Sequence, residues 1–408
     1  MPSDGFNPAL LPAGLADLLP PDAAREAALV EAMLAVFGSH GYERVKPPLI
    51  EFEEGLLAGS GAAVAEQTFR LMDPVSQRMM GLRADMTPQV ARLAATRLRG
   101  VERPLRLSYS GQVLRVRGTQ IAPERQLPQA GIELIGADSP LADAEVALVG
   151  VEALARVGVE GVALDITLPA MSPALLDAAG LAGEERAALA RALDRKDEAA
   201  VRALAERAGP PAVFLPGLLA AAGPADAALR ALGAVALPPA ARAIAENAAA
   251  VIAAIRAVMP ALRITLDPVE FRGLRYHTGV AYTVFGPGRT GELARGGRYM
   301  SGEEPATGLT VYPDAVLRAA PRAAEAARVL VPVGADPAAA AALRARGFVT
   351  VAALGAGDTA ASQRCTHVLR EGEAVADPAS FGASAPFPTG AAAAPSSTGA
   401  AAASSGKD

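Results

Sequence analysis

The order of strand-like and helix-like segments predicts an α+β protein with a largely antiparallel sheet. Strand patterns cluster in two blocks, at 77–136 and 262–311, and an Ala-rich stretch of helical periodicity separates them. Neither GxGxxG nor GxxxxGK[ST], the phosphate-binding turns of doubly wound parallel folds, occurs anywhere in the chain. At 408 residues and 51% hydrophobic composition, the chain can bury a sizeable core in more than one domain.

Each element has its own signal. Pro21-Asp22 starts a helix whose apolar face is Leu29, Met33, Val36 and Phe37, and Gly38 and Gly41 end it. Tyr42 to Glu51 follows as a strand, and its Pro47-Pro48 pair confines it to a sheet edge or an interface because neither proline donates to a ladder. QRMMGLRA (77–84), LRLSYSGQVLRV (105–116) and GIELIG (131–136) read as strands, with Leu105, Leu107 and Tyr109 alternating and an antiparallel hairpin expected among them. Thr87 to Arg99 reads as an amphipathic helix with Val90, Leu93 and Ala94 as its stripe.

Residues 141–259 are helical in pattern apart from the strand-like VALDITL (162–168). Strands return in LRITLDPV (262–269), GVAYTVFG (279–286), GELARGG (291–297) and ATGLTV (306–311), and a helix is expected from Pro313 to Arg328. A β-α-β pattern occupies 328–378, after which Ala, Gly, Ser and Pro dominate to the end. The expected organisation is a core over 1–327 with a helical insertion at about 170–258, a small α/β module at 328–380 and a disordered tail at 381–408.

Composition narrows the function. Cys365 is the single cysteine and His40, His277 and His367 lie far apart in sequence, so no metal site and no cofactor are expected. No run of strongly apolar residues reaches membrane-spanning length and the N-terminus lacks a signal-like order, so a cytoplasmic location without membrane contact is expected. A net charge of −5 argues against a large nucleic-acid surface. Between Gly81 and Gly136, however, nine arginines face four acids, a surplus that should attract anions unless Arg97, Arg99 and Arg103 form a solvated helix face.

Four distant segments hold polar groups that are costly to bury unless they meet a ligand or one another: LRADMTP (82–88), LRVR to GIELIG (114–136), FRGLRYHTG (271–279) and ARGGRY to AVLRA (294–319). They supply what a free amino acid needs. Asp85 and Glu133 suit an ammonium or cationic side chain, Arg115 and Arg272 a carboxylate or phosphate, and Thr87, Gln129 and Tyr276 neutral hydrogen bonds. Glu133 projects from its strand opposite to Ile132 and Leu134, so its carboxylate needs a cation or a ligand; His277 reads equally as a ligand contact or a satisfied strand-entry histidine.

Together these segments resemble the class II aminoacyl-tRNA synthetase core of the histidyl kind over about residues 10–320. GYERVKPPLIE (41–51) is similar to that family's first motif, with Pro48 at the position of the dimer-interface proline, so the resemblance implies an antiparallel sheet and a dimer. It places Asp85 and Thr87 at the substrate amino group, Arg115 at the second-motif arginine, Gln129 and Glu133 at the bound histidine, and Arg272 and Tyr276 in the histidine-specific RGLDYY segment. Arg275 and His277 replace the Asp and second Tyr of that segment.

The ATP side departs from the pattern. Arg115-Val116-Arg117 stands where Arg-x-Glu is expected, and Tyr312-Pro313-Asp314-Ala315 stands where a GLER-like run would put an arginine on the phosphate tail. Losing such a clamp removes a few kcal/mol of charge stabilisation, roughly orders of magnitude in rate. The chain thereby resembles the regulatory subunits of ATP phosphoribosyltransferase, which fit its YHTG and TGLTVYPDAVLRA wording. That resemblance implies a protein without catalytic residues, required by a short-form catalytic subunit at the first step of histidine biosynthesis and mediating feedback by free histidine, with no tRNA partner. The alternative, an atypical histidyl-tRNA synthetase, needs Arg318, one helical turn past Ala315, to replace the lost arginine.

Overall fold

The computed structural model describes residues 10–118, 123–270, 277–288, 291–322 and 324–380. In chain order these form α1 (Asp22–Ser39), β1 (Glu43–Arg44), β2 (Ile50–Phe52), α2 (Glu53–Leu56), β3 (Phe69–Met72), β4 (Met79–Leu82), α3 (Thr87–Ala95), β5 (Leu105–Leu114), β6 (Gln126–Ile135), α4 (Pro140–Arg156) and β7 (Ala163–Thr167). A helical run follows: α5 (Met171–Ala178), α6 (Gly183–Asp194), α7 (Glu198–Ala208), α8 (Leu215–Ala220), the short β8 (Gly223–Pro224), α9 (Ala225–Gly233) and α10 (Pro239–Val258). Then come β9 (Arg263–Asp267), β10 (His277–Phe285), β11 (Glu292–Ser301), β12 (Glu304–Val311) and α11 (Pro313–Ala319). The last described elements are β13 (Arg328–Val331), α12 (Pro337–Ala345), β14 (Val349–Ala352), β15 (His367–Arg370) and β16 (Glu373–Ala376).

Two compact units are distinguished, one essentially Ala24–Pro321 and the other Asp17–Ala23 with Arg322 onward. The first is built on a nine-stranded sheet in the order β1-β5-β6-β12-β11-β10-β7-β9-β8. Only β1 with β5 and β7 with β9 run parallel; the other pairs are antiparallel, as expected for an α+β fold. β2, β4 and β3 make a separate antiparallel sheet. In the second unit β13 pairs parallel with β14 and β15, and β16 closes the sheet antiparallel to β15.

Alternation along the central strands sorts side chains into two cores. Ala130, Ile132 and Leu134 of β6 join Leu309 and Val311 of β12 and the apolar stripes of α4 and α10 in the larger one. On the opposite face Leu105, Leu107 and Tyr109 of β5, Ile135 of β6 and Tyr299 of β11 pack with Met86, Val90 and Ala94 at α3. Glu133, between Ile132 and Leu134, therefore faces α3.

Several expected boundaries move for identifiable reasons. The strand expected over Tyr42 to Glu51 is split: β1 ends before Pro47-Pro48 and β2 belongs to the other sheet, because two prolines interrupt any ladder. The helix expected from Pro313 to Arg328 stops at Ala319, where Ala320 is extended (ψ 142) ahead of Pro321, whose ring disfavours a helical predecessor. α3 likewise ends at Ala95 rather than Arg99. The segments 271–276 and 381–408, which carry Arg272, Tyr276 and the expected tail, lie outside the described residues.

The arginine surplus of 81–136 is not an open anion field. Arg92 pairs with Glu51, Arg103 with Glu304, and Arg106 with Glu145, all acids from outside that stretch. Arg103, expected on a solvated helix face, also donates to the carbonyls of Ala94, Leu98 and Val101, which closes the C-terminal end of α3. Arg83 is buried and donates to the carbonyls of Gln112 (2.7 Å) and Pro47 (3.1 Å).

The firmest tie between sheet and helix is Arg298 on β11. Its guanidinium donates to Asp143 Oδ2 (2.9 Å), to Asp138 Oδ1 (3.2 Å) and to the carbonyls of Ala137 and Ser139 (both 2.9 Å), gathering the start of α4. Asp143 is wholly buried, and burial raises its pKa against the pull of Arg298. Arg298→Ala leaves that carboxylate without its cation, and the expected loss is about 3–5 kcal/mol of unfolding free energy. Urea denaturation of the variant and wild type checks it, and Asp143→Asn/Arg298→Met should recover part of the loss.

Candidate functional site

Glu133 sits near the C-terminal end of β6, directly opposite Gly308 on β12 and Leu107 on β5. Gly308 is required there, because a β-carbon at that position would overlap Glu133 Oε2. Gly131 plays the same part for Tyr109, which lies across from it on β5 and whose hydroxyl would meet any side chain at 131. Two glycines on adjacent strands thus open a hollow in an otherwise close-packed sheet.

Hydroxyl groups line the hollow. Tyr299 donates to Glu133 Oε2 at 2.9 Å and Tyr109 to Oε1 at 3.3 Å. The Tyr109 hydroxyl also lies 2.9 Å from Thr310 Oγ1 and 3.3 Å from Thr87 Oγ1. Of the cation or ligand expected for Glu133, no cation is among its hydrogen-bond partners in the described residues; hydroxyls meet it there. Burial pushes its pKa up to about 8, Asp85 adds to the rise, and the hydroxyl hydrogen bonds oppose it.

Asp85 lies in the turn before α3 and is held from two sides. Its Oδ1 accepts from the Thr87 amide (2.8 Å) and its Oδ2 from Gln129 Nε2 (3.0 Å), while Gln129 Oε1 accepts from the Met86 amide (3.1 Å). Gln129 therefore fixes Asp85. The pair joins β6 to the start of α3 and places a carboxylate beside the Glu133 hollow.

Thr87, Glu133, Tyr299, Thr310, His277, Arg295 and the Gly296-Gly297 backbone border a small cleft. His277 begins β10 and is in register with Tyr299. Gly297 takes φ +150, and a side chain there would strike the Val280 carbonyl and the His277 ring, so this glycine keeps β10 and β11 close at the cleft wall.

The structure thus brings Asp85, Thr87, Gln129, Glu133 and His277 together. Arg115 stands apart, just past β5, half-buried and with a buried Nε that has no partner among the described residues. Arg115, Arg295, Glu292 and Asp85 all act electrostatically on Tyr312, whose pKa is raised mainly by burial. Arg295 is itself engaged by Glu292 at 2.7 Å.

Sequence reasoning did not single out Tyr109, Tyr299, Thr310, Arg295 or Gly308 as site residues. Tyr109 looked like one more apolar residue in an alternating strand, and Gly308 gains its meaning only from the register that puts it against Glu133. Ala315 is buried in the larger core and Arg318, the possible substitute for a phosphate clamp, is exposed and pairs with Asp314 at 3.0 Å. Among the described residues no cluster of three metal-ligating side chains occurs and no helix is long and apolar enough to cross a membrane.

Comparison with known proteins places this geometry. The sequence profile of histidyl-tRNA synthetase matches residues 14–316. The chain is 54% identical over 353 residues to the ATP phosphoribosyltransferase regulatory subunit of Paramagnetospirillum magneticum, covering 86% of this chain and 92% of that protein. It is 53% identical over 380 residues to that of Rhodospirillum centenum, covering 91% and 98%. A crystal structure from Bacillus halodurans, described as an ATP phosphoribosyltransferase regulatory subunit/histidyl-tRNA synthetase, superimposes with a TM-score of 0.73 at 26% identity, over 86% of this chain and 94% of that one. Histidyl-tRNA synthetase from Nostoc shares the fold at a TM-score of 0.72 and 20% identity, over 88% and 90% of the two chains. The chain belongs to the family of ATP phosphoribosyltransferase regulatory subunits, built on the class II fold of histidyl-tRNA synthetase.

Proposed function

We propose that this regulatory subunit binds free histidine in the Glu133 cleft and passes that occupancy to a short-form catalytic subunit, which needs it for activity. The observation that carries the reading is a cleft lined by the buried, hydroxyl-caged Glu133, with a second carboxylate, Asp85, fixed beside it. Asp85, fixed by Gln129 and the Thr87 amide, suits the ligand's ammonium; the hydroxyl-caged Glu133 suits the imidazole. Arg272, with Tyr276, is assigned to the carboxylate and the neighbouring hydrogen bonds by its match to the histidine-specific segment.

Regulation then follows from linkage. Histidine shifts the assembly toward an inactive state only as far as it binds that state more tightly, and a coupling of about 1–3 kcal/mol is roughly a 5–150-fold difference in affinity between the two states. The synthetase alternative is disfavoured by Ala315, which packs in the core, and by Arg318, which turns to Asp314 at the surface. We assign the chain no tRNA partner and a cytoplasmic site of action alongside the catalytic subunit. Self-association is supported by Leu49, Ile50, Phe52 and Met79, exposed apolar residues around β2 and β4 next to Pro48.

Mixing the chain with a short-form catalytic subunit should produce phosphoribosyltransferase activity that histidine suppresses; absence of both effects overturns the assignment, as does histidine-dependent ATP–pyrophosphate exchange by the chain alone. Gly308→Ala drives a methyl group against Glu133 Oε2. It should raise the histidine concentration for half-inhibition roughly 5–150-fold, the scale of about 1–3 kcal/mol for overpacking a tight site. In analytical ultracentrifugation the free subunit should sediment at twice the 41.3 kDa mass of one chain.

A further inference from the structure

We infer that a second cleft, beside Arg83, binds a phosphate-class dianion. Lys46, Pro48, Leu49, Arg83, Ser110 and Gln112 are on its border, and it has no residue in common with the Glu133 cleft, so the inference stands apart from the histidine reading. Its basis is the state of the Arg83 guanidinium. Arg83 is only 6% exposed, and a cation so placed needs counter-charge. Every group it donates to among the described residues is neutral. Nε meets the Gln112 carbonyl (2.7 Å), and Nη1 meets the Pro47 carbonyl (3.1 Å) and Gln89 Oε1 (3.3 Å), which leaves Nη2 without a hydrogen bond.

The surrounding chain fixes that guanidinium in position. Pro47 and Pro48 have no amide hydrogens, so carbonyls are what this turn can offer. The Pro47 carbonyl takes Arg83, and the Pro48 carbonyl accepts from Gln89 Nε2 at 2.8 Å, which sets the Gln89 oxygen against Arg83. The Arg83 backbone is held too, its amide on the Leu49 carbonyl (3.1 Å) and its carbonyl on the Leu114 amide (3.0 Å). Gly111, which also borders the cleft, gives Nη2 its room: a β-carbon there would overlap that nitrogen.

Charge along the cleft has one sign. Exposed Lys46 adds a second cation, and no Asp or Glu is among the described residues on the border. The acids nearby are engaged. Glu51, whose charge reaches Arg83, forms a two-pronged pair with Arg92, and Glu31 takes both terminal nitrogens of Arg44 at 3.0 Å. Arg44 Nη2 also donates to Ser110 Oγ (3.2 Å), which leaves that hydroxyl its own hydrogen to give. Two cations with a hydroxyl and no acid complement a phosphate, which carries about two negative charges and accepts from several directions.

The test is calorimetric titration of inorganic phosphate into the full chain at neutral pH and constant ionic strength, which separates a site from general screening. Wild type should bind one phosphate per chain. Lys46→Glu, a change at an exposed position, should weaken binding roughly 10- to 100-fold, the scale of a lost charge-assisted hydrogen bond, and Lys46→Arg should retain it. Arg115→Ala serves as the control for the rival locus, since Arg115 Nε also lacks a partner, and should bind as wild type does. No binding by wild type, equal binding by Lys46→Glu, or loss in Arg115→Ala alone overturns the inference. Wild type that takes up no phosphate but loses its self-association on Lys46→Glu assigns the counter-charge to a carboxylate of a second copy, and overturns the small-anion site as well.

Discussion

A carboxylic acid on an interior strand of a buried sheet is an expensive thing to keep, and most of the unit around Glu133 is arranged to make it tolerable. Gly308 and Gly131 are absent side chains that leave room for the carboxyl and for Tyr109. Tyr109 and Tyr299 bring hydroxyls without charge. Arg298, on the strand of Tyr299, binds the start of α4 through four contacts and holds β11 where its tyrosine can reach. Without a fixed β11 the carboxyl would lose its best donor and bear an uncompensated desolvation cost of about 1–3 kcal/mol, more when ionised.

Much of this was legible from the sequence, and what was not has a common cause. Glu133 could be placed on the face opposite Ile132 and Leu134 because alternation along a strand is local. The two strand blocks and the helical stretch between them gave the fold class for the same reason. Register across strands is not local. Nothing in a single sequence says that Gly308 lies against Glu133 or His277 against Tyr299, so the hydroxyl cage could not be read.

Charge shows the same limit. Counting nine arginines against four acids over 81–136 suggested an anion-attracting surface, yet Arg92, Arg103 and Arg106 reach Glu51, Glu304 and Glu145 from elsewhere in the chain. A run of charge in sequence has no field of its own until the fold decides which opposite charges share its space. Proline was a better guide, because its effects act on its own backbone neighbours: Pro47-Pro48 split a strand, and Pro321 stopped α11.

The same economy of means explains how a synthetase-like pocket serves a subunit without catalysis. An enzyme gains nothing from holding its amino acid tightly in the ground state; it needs contacts that strengthen as charge moves onto the phosphate. A sensor has the opposite requirement. Ala315 lies in the core, where its side chain carries no charge, while Asp85, Gln129 and Glu133 are hydrogen-bonded polar groups on the α3 side of the sheet. A buried carboxyl caged by neutral hydroxyls, with its pKa raised by burial, is a polar group held in place by the fold and not by a charged partner among its hydrogen bonds.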